Sequence, residues 1–413
     1  MNHMDSANPT ATFVQPAPAP AEFSEPGLSR AMTLLFALAA ALSVANTYYA
    51  QPLLDTMARD FGITPATIGL VVTLTQVGYG LGLIFIVPLG DIVDRRRLIV
   101  CQGFLTVIAL VSIALARSAA MLFASLAAMG LMAVVIQLLV AFAATLARPG
   151  ERGATVGIVT SGIVIGILGA RFVAGLLADL GGWRAVYMIS AILTLTLVGL
   201  LLLVLPSGRS PDRSESYAAI LRSTPVLFFQ NRILLVRGLL ALFIFAAFST
   251  LWTALVLPLS TSPYSYSHTQ IGLFGLVGMT GAMAATGAGK LADRGLGQRT
   301  SGVSLLLLLA SWGLIAFLPH SIPIFLVGVV IVDLAVQAVH VTNQSIILNR
   351  HPEARSRLVG GYMLFYSIGS ASGAIASTIV YASAGWPGVS GLGAAFSAAA
   401  LLIWAATRRL LIG

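Results

Sequence analysis

Long apolar runs alternate along this chain with short breaks that hold most of its charge. Runs near 31–54, 65–89, 98–116, 120–146, 153–178 and 185–205 precede a polar interval at 206–232. Six more follow, near 233–257, 269–289, 301–318, 323–347, 358–382 and 388–407. Each has at least the length, about 17 residues, at which an α-helix can cross roughly 30 Å of hydrocarbon. Nearly every run is apolar all round, so none shows the one-sided stripe of a helix lying on a water-soluble core. The pattern predicts an all-α membrane protein with twelve transmembrane helices.

Composition agrees: 58% of residues are hydrophobic and 9% are charged, whereas a soluble domain carries about 25% charged residues. The net charge of +9 would suit nucleic acid, but its placement points elsewhere. Nineteen of the 23 basic residues precede the first run or fall in every second connection, in clusters such as Arg95–Arg97, Arg148 with Arg152, Arg209 to Arg237, Lys290 to Arg299, and Arg350 to Arg357. By the positive-inside rule that face is cytoplasmic, and so are both termini. Residues 1–29, rich in Pro and Ala, read as a disordered cytoplasmic tail, 206–232 as a cytoplasmic linker that is partly amphipathic, and 408–413 as a C-terminal tail. One Lys against 22 Arg suggests a GC-rich bacterial genome and therefore the inner membrane. The single Cys101 excludes a disulfide framework.

The two sets of six echo each other. Gly69-Leu70 and Gly272-Leu273 stand 203 residues apart, as do Pro149 and Pro352, Arg152 and Arg355, Gly166 and Gly369, and Gly182-Trp183 and Gly385-Trp386. An offset spanning an even number of crossings makes 30–205 and 233–407 parallel, pseudo-symmetric six-helix bundles about an axis along the membrane normal. Transporters built this way hold substrate near the midplane between their halves.

The connection after the second run reads "PLGDIVDRRRLIV" (88–100), and the one after the eighth reads "GKLADRGLGQRTS" (289–301). Both contain Gly-x-x-x-Asp-Arg followed by more basic residues. Here the chain resembles the major facilitator superfamily, whose signature between spans 2 and 3 is Gly-x-x-x-Asp-Arg-x-Gly-Arg-Arg, with a weaker copy between spans 8 and 9. The first copy matches at Gly90, Asp94 and Arg95, with Arg96 at the free position and Arg97 where the second glycine belongs. The second matches at Gly289, Asp293, Arg294, Gly297 and Arg299, with one extra residue before Gly297. The resemblance implies the major facilitator fold and a gating role for both loops. The "ANTYYAQPLL" end of span 1 and the Gly-rich span 5 (157–184) are similar to the twelve-span drug–proton antiporter branch. Two marks of that branch are absent: the Gly-Pro pair of span 5 and the membrane arginine early in span 4.

Polar residues inside the runs are then the candidates for chemistry. Asp333, Gln337, His340 and Gln344 fall within about 60° of one another on span 10, a stripe about 16 Å long from mid-membrane towards the cytoplasm. A carboxylate at a helix centre costs roughly 2.5–3.5 kcal/mol on insertion scales, so such a stripe faces a wet cavity or another polar helix. Asp333 is the expected main protonation site, with His340 assisting and Arg171 of span 5 either a coupling partner or a structural counter-ion. Asn46, Tyr49, Gln76, Tyr79, Gln137, Phe248, Trp252, Gln337, Gln344, Tyr362 and Tyr366 interrupt spans that line the cavity in the family, which makes them expected substrate contacts. Gly157, Gly162, Gly166 and Gly169 suit close helix packing.

These features imply a secondary transporter that moves a small organic molecule and protons, is functional as a monomer and needs no cofactor or metal. Proton-coupled efflux of drugs or sugars leads; a proton symporter importing a sugar or organic acid stays open. An intramembrane enzyme would need a nucleophile–base pair or metal ligands, yet no HExxH occurs, and ATP-driven transport would need the missing GxxxxGK[ST].

Overall fold

Breaks at proline, glycine and capping residues set where each helix of the computed structural model starts and stops. It describes residues 28–148, 151–206, 217, 221, 231–350 and 355–408. The tails and nearly all of the linker, including its amphipathic segment, lie outside the described residues. In the first half α1 is Arg30–Tyr48, α2 Leu70–Phe85, α3 Arg95–Ala114, α4 119–146 in two pieces, α5 Arg152–Gly181 and α6 Trp183–Val204. In the second half α7 is Arg232–Ala254, α8 His268–Ala284, α9 Gly297–Ile315 and α10 Ile322–Arg350. The last helical stretch, Arg355–Thr407, reverses at Gly385 (φ 61°, ψ −159°), a conformation open to glycine, and so supplies α11 (355–384) and α12 (386–407). Nine stretches among the described residues are long and apolar enough to cross a bilayer. One of them is the α11–α12 pair, and α8 and α9 complete the set of twelve.

Small polar side chains close the helix starts. Ser29, Asp94, Ser118 and Asn231 accept backbone N–H groups at the starts of α1, α3, α4 and α7, and Ser267 with Gln270 forms a capping box on α8.

Packing repeats the 203-residue symmetry. Within the first half α1 packs on α5, α2 on α4 and α3 on α6; the second half pairs α7 with α11, α8 with α10 and α9 with α12. Gly162 and Gly166 meet the backbone of α1 at Ala37 and Ala41, as close packing predicts, whereas Gly157 and Gly169 have open space. Side chains such as Leu203, Leu180 and Ile108 stay exposed on the outward faces, where hydrocarbon is their favoured surrounding.

The halves meet along two symmetry-related pairs, α5 with α8 and α2 with α11. Gly175 of α5 abuts the His268 backbone, Gly272 of α8 abuts the Arg171 backbone, and Gly69 abuts Thr378. Thr73 donates to the Ala371 carbonyl (3.0 Å) and Thr378 to the Ala66 carbonyl (3.1 Å). All of these lie on the side of the seam away from the arginine-rich loops. Towards those loops, Gly157 on α5 and Gly287, just after α8, have nothing within 4 Å of an added Cβ. The halves are therefore closed on the arginine-poor face.

One basic residue departs from its expected place. Arg237, grouped by sequence with the loop cluster, is fully buried in α7 and donates to Ser301 Oγ (3.2 Å) and Asn343 Oδ1 (2.9 Å). It begins the second turn of a helix whose neighbours supply polar partners, so charge alone misplaces it.

Candidate functional site

Arg171 on α5 and Asp333 on α10 come from different halves and approach the same side chain, Trp252 of α7. The guanidinium lies over the indole face, 4.1 Å from the ring centre, and the indole Nε1–H donates to Asp333 Oδ1 at 3.2 Å. Arg171 also donates to Gln51 Oε1 (2.7 Å), which the Pro52 break at the end of α1 turns into the seam. Both charged residues are almost completely buried, at 2% and 1% exposure. One atom of each, Arg171 Nη2 and Asp333 Oδ2, has no hydrogen-bond partner among the described residues. Desolvated groups without partners carry a free-energy cost; Asp333 Oδ2 keeps capacity for a proton and Arg171 Nη2 for donating to a ligand. Gly278 of α8 makes room for this carboxylate, since a Cβ there would collide with Asp333 Oδ2.

Below this layer lies an aromatic one. Tyr48 and Tyr366 share a 2.6 Å hydroxyl–hydroxyl bond across the seam. The Tyr366 ring stands edge-on to Phe245 (4.3 Å) and to Tyr79 (6.2 Å), and the Tyr79 hydroxyl accepts from Gln137 (3.2 Å). Phe248 flanks Arg171, with its ring centre 5.6 Å away. A third layer, seven residues and about 10 Å further along α10, joins His340 Nδ1 to the Tyr362 hydroxyl at 3.0 Å, with Phe245 edge-on to the imidazole at 5.1 Å. Gln337, His340 and Gln344 are half-buried while most of their neighbours on α10 are buried, so the polar stripe keeps one face.

Among the expected contacts, then, Gln76, Tyr79, Gln137, Phe248, Trp252 and Tyr366 gather at the seam with Arg171 and Asp333, while Tyr362 and His340 meet each other within the second half. Asn46 and Tyr49 turn instead into the first half: Asn46 Oδ1 accepts from Ser190 of α6 (2.5 Å), and Tyr49 stands edge-on to Tyr187. Tyr48 and Gln51, their chain neighbours, take the seam positions, and the sequence offered no signal for choosing among four polar residues within 46–51.

At the loop motif, Asp94 caps α3 through the Arg97 N–H (2.9 Å), Arg95 donates to the Gly90 carbonyl (3.1 Å) and to Thr145 Oγ1 (2.9 Å), and Arg96 donates to the Leu202 carbonyl (2.6 Å). The motif thus ties α3 to α4 and α6. In the second copy Arg294 and Arg299 are exposed; the side chains of Gly289 and Asp293 lie outside those described. Among the described residues no three His, Cys, Asp or Glu side chains gather as metal ligands.

Comparison with known proteins adds three findings. A family model described as Major Facilitator Superfamily matches residues 36–300 and 237–410. An uncharacterized transporter of Escherichia coli O157:H7 is 45% identical over 380 residues, covering 91% of this chain and 95% of its own, and a probable transporter of Streptomyces coelicolor is 32% identical over 419 residues, covering 97% and 94%. A crystal structure of a bacterial homologue of the human lysosomal transporter Spinster, inward-facing and occupied, superposes with a TM-score of 0.74 at 17% identity over 92% of this chain and 96% of its own.

Proposed function

The chain belongs to the major facilitator superfamily, and from that premise we propose that it is a proton-driven exporter of small organic molecules. Transport is common ground with its relatives, which are named as transporters; the coupling ion, the direction and the substrate class are what this reading adds. One observation carries it: a buried carboxylate with a vacant oxygen, Asp333, linked through one indole to a cation of the opposite half.

Ionised Asp333 accepts the Trp252 N–H as a charged acceptor, worth roughly 1.5–3 kcal/mol, and a neutral acid accepts it for about 1 kcal/mol. Protonation therefore weakens the Trp252 anchor by about 0.5–2 kcal/mol and removes the attraction between this carboxylate and Arg171 of the opposite half, the part that favours an arrangement in which the halves separate. Trp252 is also the face on which Arg171 stacks, a contact worth about 2 kcal/mol when desolvated. The proton on Asp333 thus loosens the seam from one side. A substrate stacked among Trp252, Phe248 and Tyr366 loosens it from the other. Each proton moving inwards releases roughly 2.3 kcal/mol per 100 mV of membrane potential.

The aromatic layer favours flat or apolar substrates over sugars, which is why export of drug-like compounds leads. Import of an organic acid with a proton is the second reading, favoured by Arg171 Nη2, which has capacity for a carboxylate oxygen. A deletion strain scored against a panel of drugs and metabolites supplies the substrate. Substrate-dependent proton flux in proteoliposomes then tests coupling. With one proton per cycle, one pH unit sustains about a tenfold substrate gradient, and Asp333→Asn should collapse it to unity while downhill exchange continues. A gradient maintained by Asp333→Asn removes this acid from the mechanism.

A further inference from the structure

The closed face carries a second titratable group between the halves, remote from the Asp333 layer. His268 is the first residue of α8, just ahead of the eighth membrane-spanning run. Its Nδ1 lies 2.9 Å from Asp179 Oδ1 at the end of α5, and its Nε2 lies 2.7 Å from Thr56 Oγ1 and 3.4 Å from Asp55 Oδ1. Asp55 and Thr56 belong to the short helix Leu54–Phe61 that follows α1. Asp179 also accepts the backbone N–H groups of His268 (3.1 Å) and Thr269 (2.8 Å), so one carboxylate of the first half caps a helix of the second. The other charged groups on this packing are Arg59, paired with Asp55 at 2.9 Å, and Asp60, which pairs with Arg184 of α6. Residues 269–284 of α8 contain no titratable side chain.

We propose that His268 is a proton-binding site whose proton latches the two halves together on the arginine-poor face. A neutral imidazole has one N–H, whereas both ring nitrogens here face a carboxylate, and only the imidazolium can donate to both. Losing the proton leaves Nδ1–H on Asp179 and turns Nε2 into an acceptor for the Thr56 hydroxyl; the attraction for Asp55 is lost. Side-chain exposures of 19% for His268, 10% for Asp55 and 28% for Asp179 leave the cluster open to exchange with water yet shelter its charges from full screening.

The contact with Asp55 raises the His268 pKa, burial works against it, and Asp179 adds to the rise. A pKa higher in the latched state means the latch is fully stabilised below the ordinary histidine value, about 6.5, and loses that contribution as pH rises through the raised value. By the charge rule this face is the outer one, so an acidic exterior favours closure there.

The test places spin labels at Thr64→Cys in the first half and His320→Cys in the second, with Cys101→Ser, in lipid nanodiscs between pH 5.5 and 8.5. Both sites are exposed, and replacing His320 removes another imidazole from the rim. The short-distance population should dominate at pH 5.5 and fall in a single titration, the closed-to-open ratio changing about tenfold for each unit by which the contact raises the pKa. His268→Gln and Asp179→Asn should each flatten this response, whereas Asp333→Asn should keep a single titration, displaced to lower pH. The proposal is overturned by a parent protein that does not respond, by an unchanged titration in either latch variant, or by a titration that disappears in Asp333→Asn alone. The last result assigns the proton to the membrane site.

Discussion

Gly278 offers a way to displace the Asp333 carboxylate without touching its chemistry. A Cβ at this position would sit well inside 3.0 Å of Oδ2, so Gly278→Ala forces the carboxylate to turn. Turning it breaks the 3.2 Å bond from Trp252, and a hydrogen bond to a charged group is worth roughly 1.5–3 kcal/mol. Alanine recovers about 1 kcal/mol over glycine in a helix interior. The expected net cost is about 0.5–2 kcal/mol. Driven transport should fall about tenfold, since 1.4 kcal/mol is one decade. Gly169→Ala on α5, where nothing lies within 4 Å, is the control and should be neutral or stabilising. Stability is followed by heat challenge in detergent, and transport by proton-driven flux in proteoliposomes. Asp333→Ala closes a double-mutant cycle: once the carboxylate is gone the added Cβ meets only the edge of the Trp252 ring, at 3.0 Å, so the two changes should couple by at least about 1 kcal/mol. A Gly278→Ala protein that matches the Gly169→Ala control, or whose cost is the same with and without the carboxylate, refutes this geometry.

Two further substitutions separate roles that one residue could hold together. Arg171→Lys keeps the charge but loses the planar face that stacks on Trp252 and the Nε–H that reaches Gln51; driven flux should drop at least about tenfold (the equivalent of 1.4 kcal/mol) with little change in folded yield, and parental flux would show that charge alone suffices. Asp94→Ala removes the cap of α3 and about 1 kcal/mol of stability, whereas Asp94→Asn keeps the cap. A gating role predicts that Asp94→Asn is stable yet slow in proteoliposome flux; a stable variant with parental rates would reduce the motif to a cap.

Charge in an apolar run was legible from the sequence, and so Arg171 and Asp333 could be named. Their relation to each other was not, because it is routed through Trp252, one aromatic among many. The six-helix repeat was legible because its 203-residue offset recurs at a loop, a helix interior and a turn. Helix phase was the harder quantity. In a soluble protein the apolar stripe marks the inner face; here lipid and core are equally apolar, so nothing along α1 says whether Asn46 and Tyr49 or Tyr48 and Gln51 face the seam. Arg237 shows the same blindness in reverse: five residues into α7 it reads as part of the flanking cluster, and only its neighbours Ser301 and Asn343 reveal a buried position.

The contacts that close the arginine-poor face and those that hold the charged layer share one helix pair. Gly175 sets α5 against the His268 backbone, and just over one turn away Gly272 sets α8 against the Arg171 backbone, with Gly275 beside its side chain. α5 and α8 belong to different halves, so separating them at the rim also draws Arg171 from the face of Trp252, which belongs to α7. Arg171 cannot keep its stack and its Gln51 bond while Trp252 and Asp333 remain together on the opposite wall. A rigid rocking of the halves therefore couples rim and midplane without any intermediate wire: whatever loosens the His268 contact lowers the cost of exposing Asp333, and whatever neutralises Asp333 lowers the cost of opening the rim. By linkage the coupling is the same in both directions, so an Asp333→Asn protein should release its latch at a lower pH than the parent does.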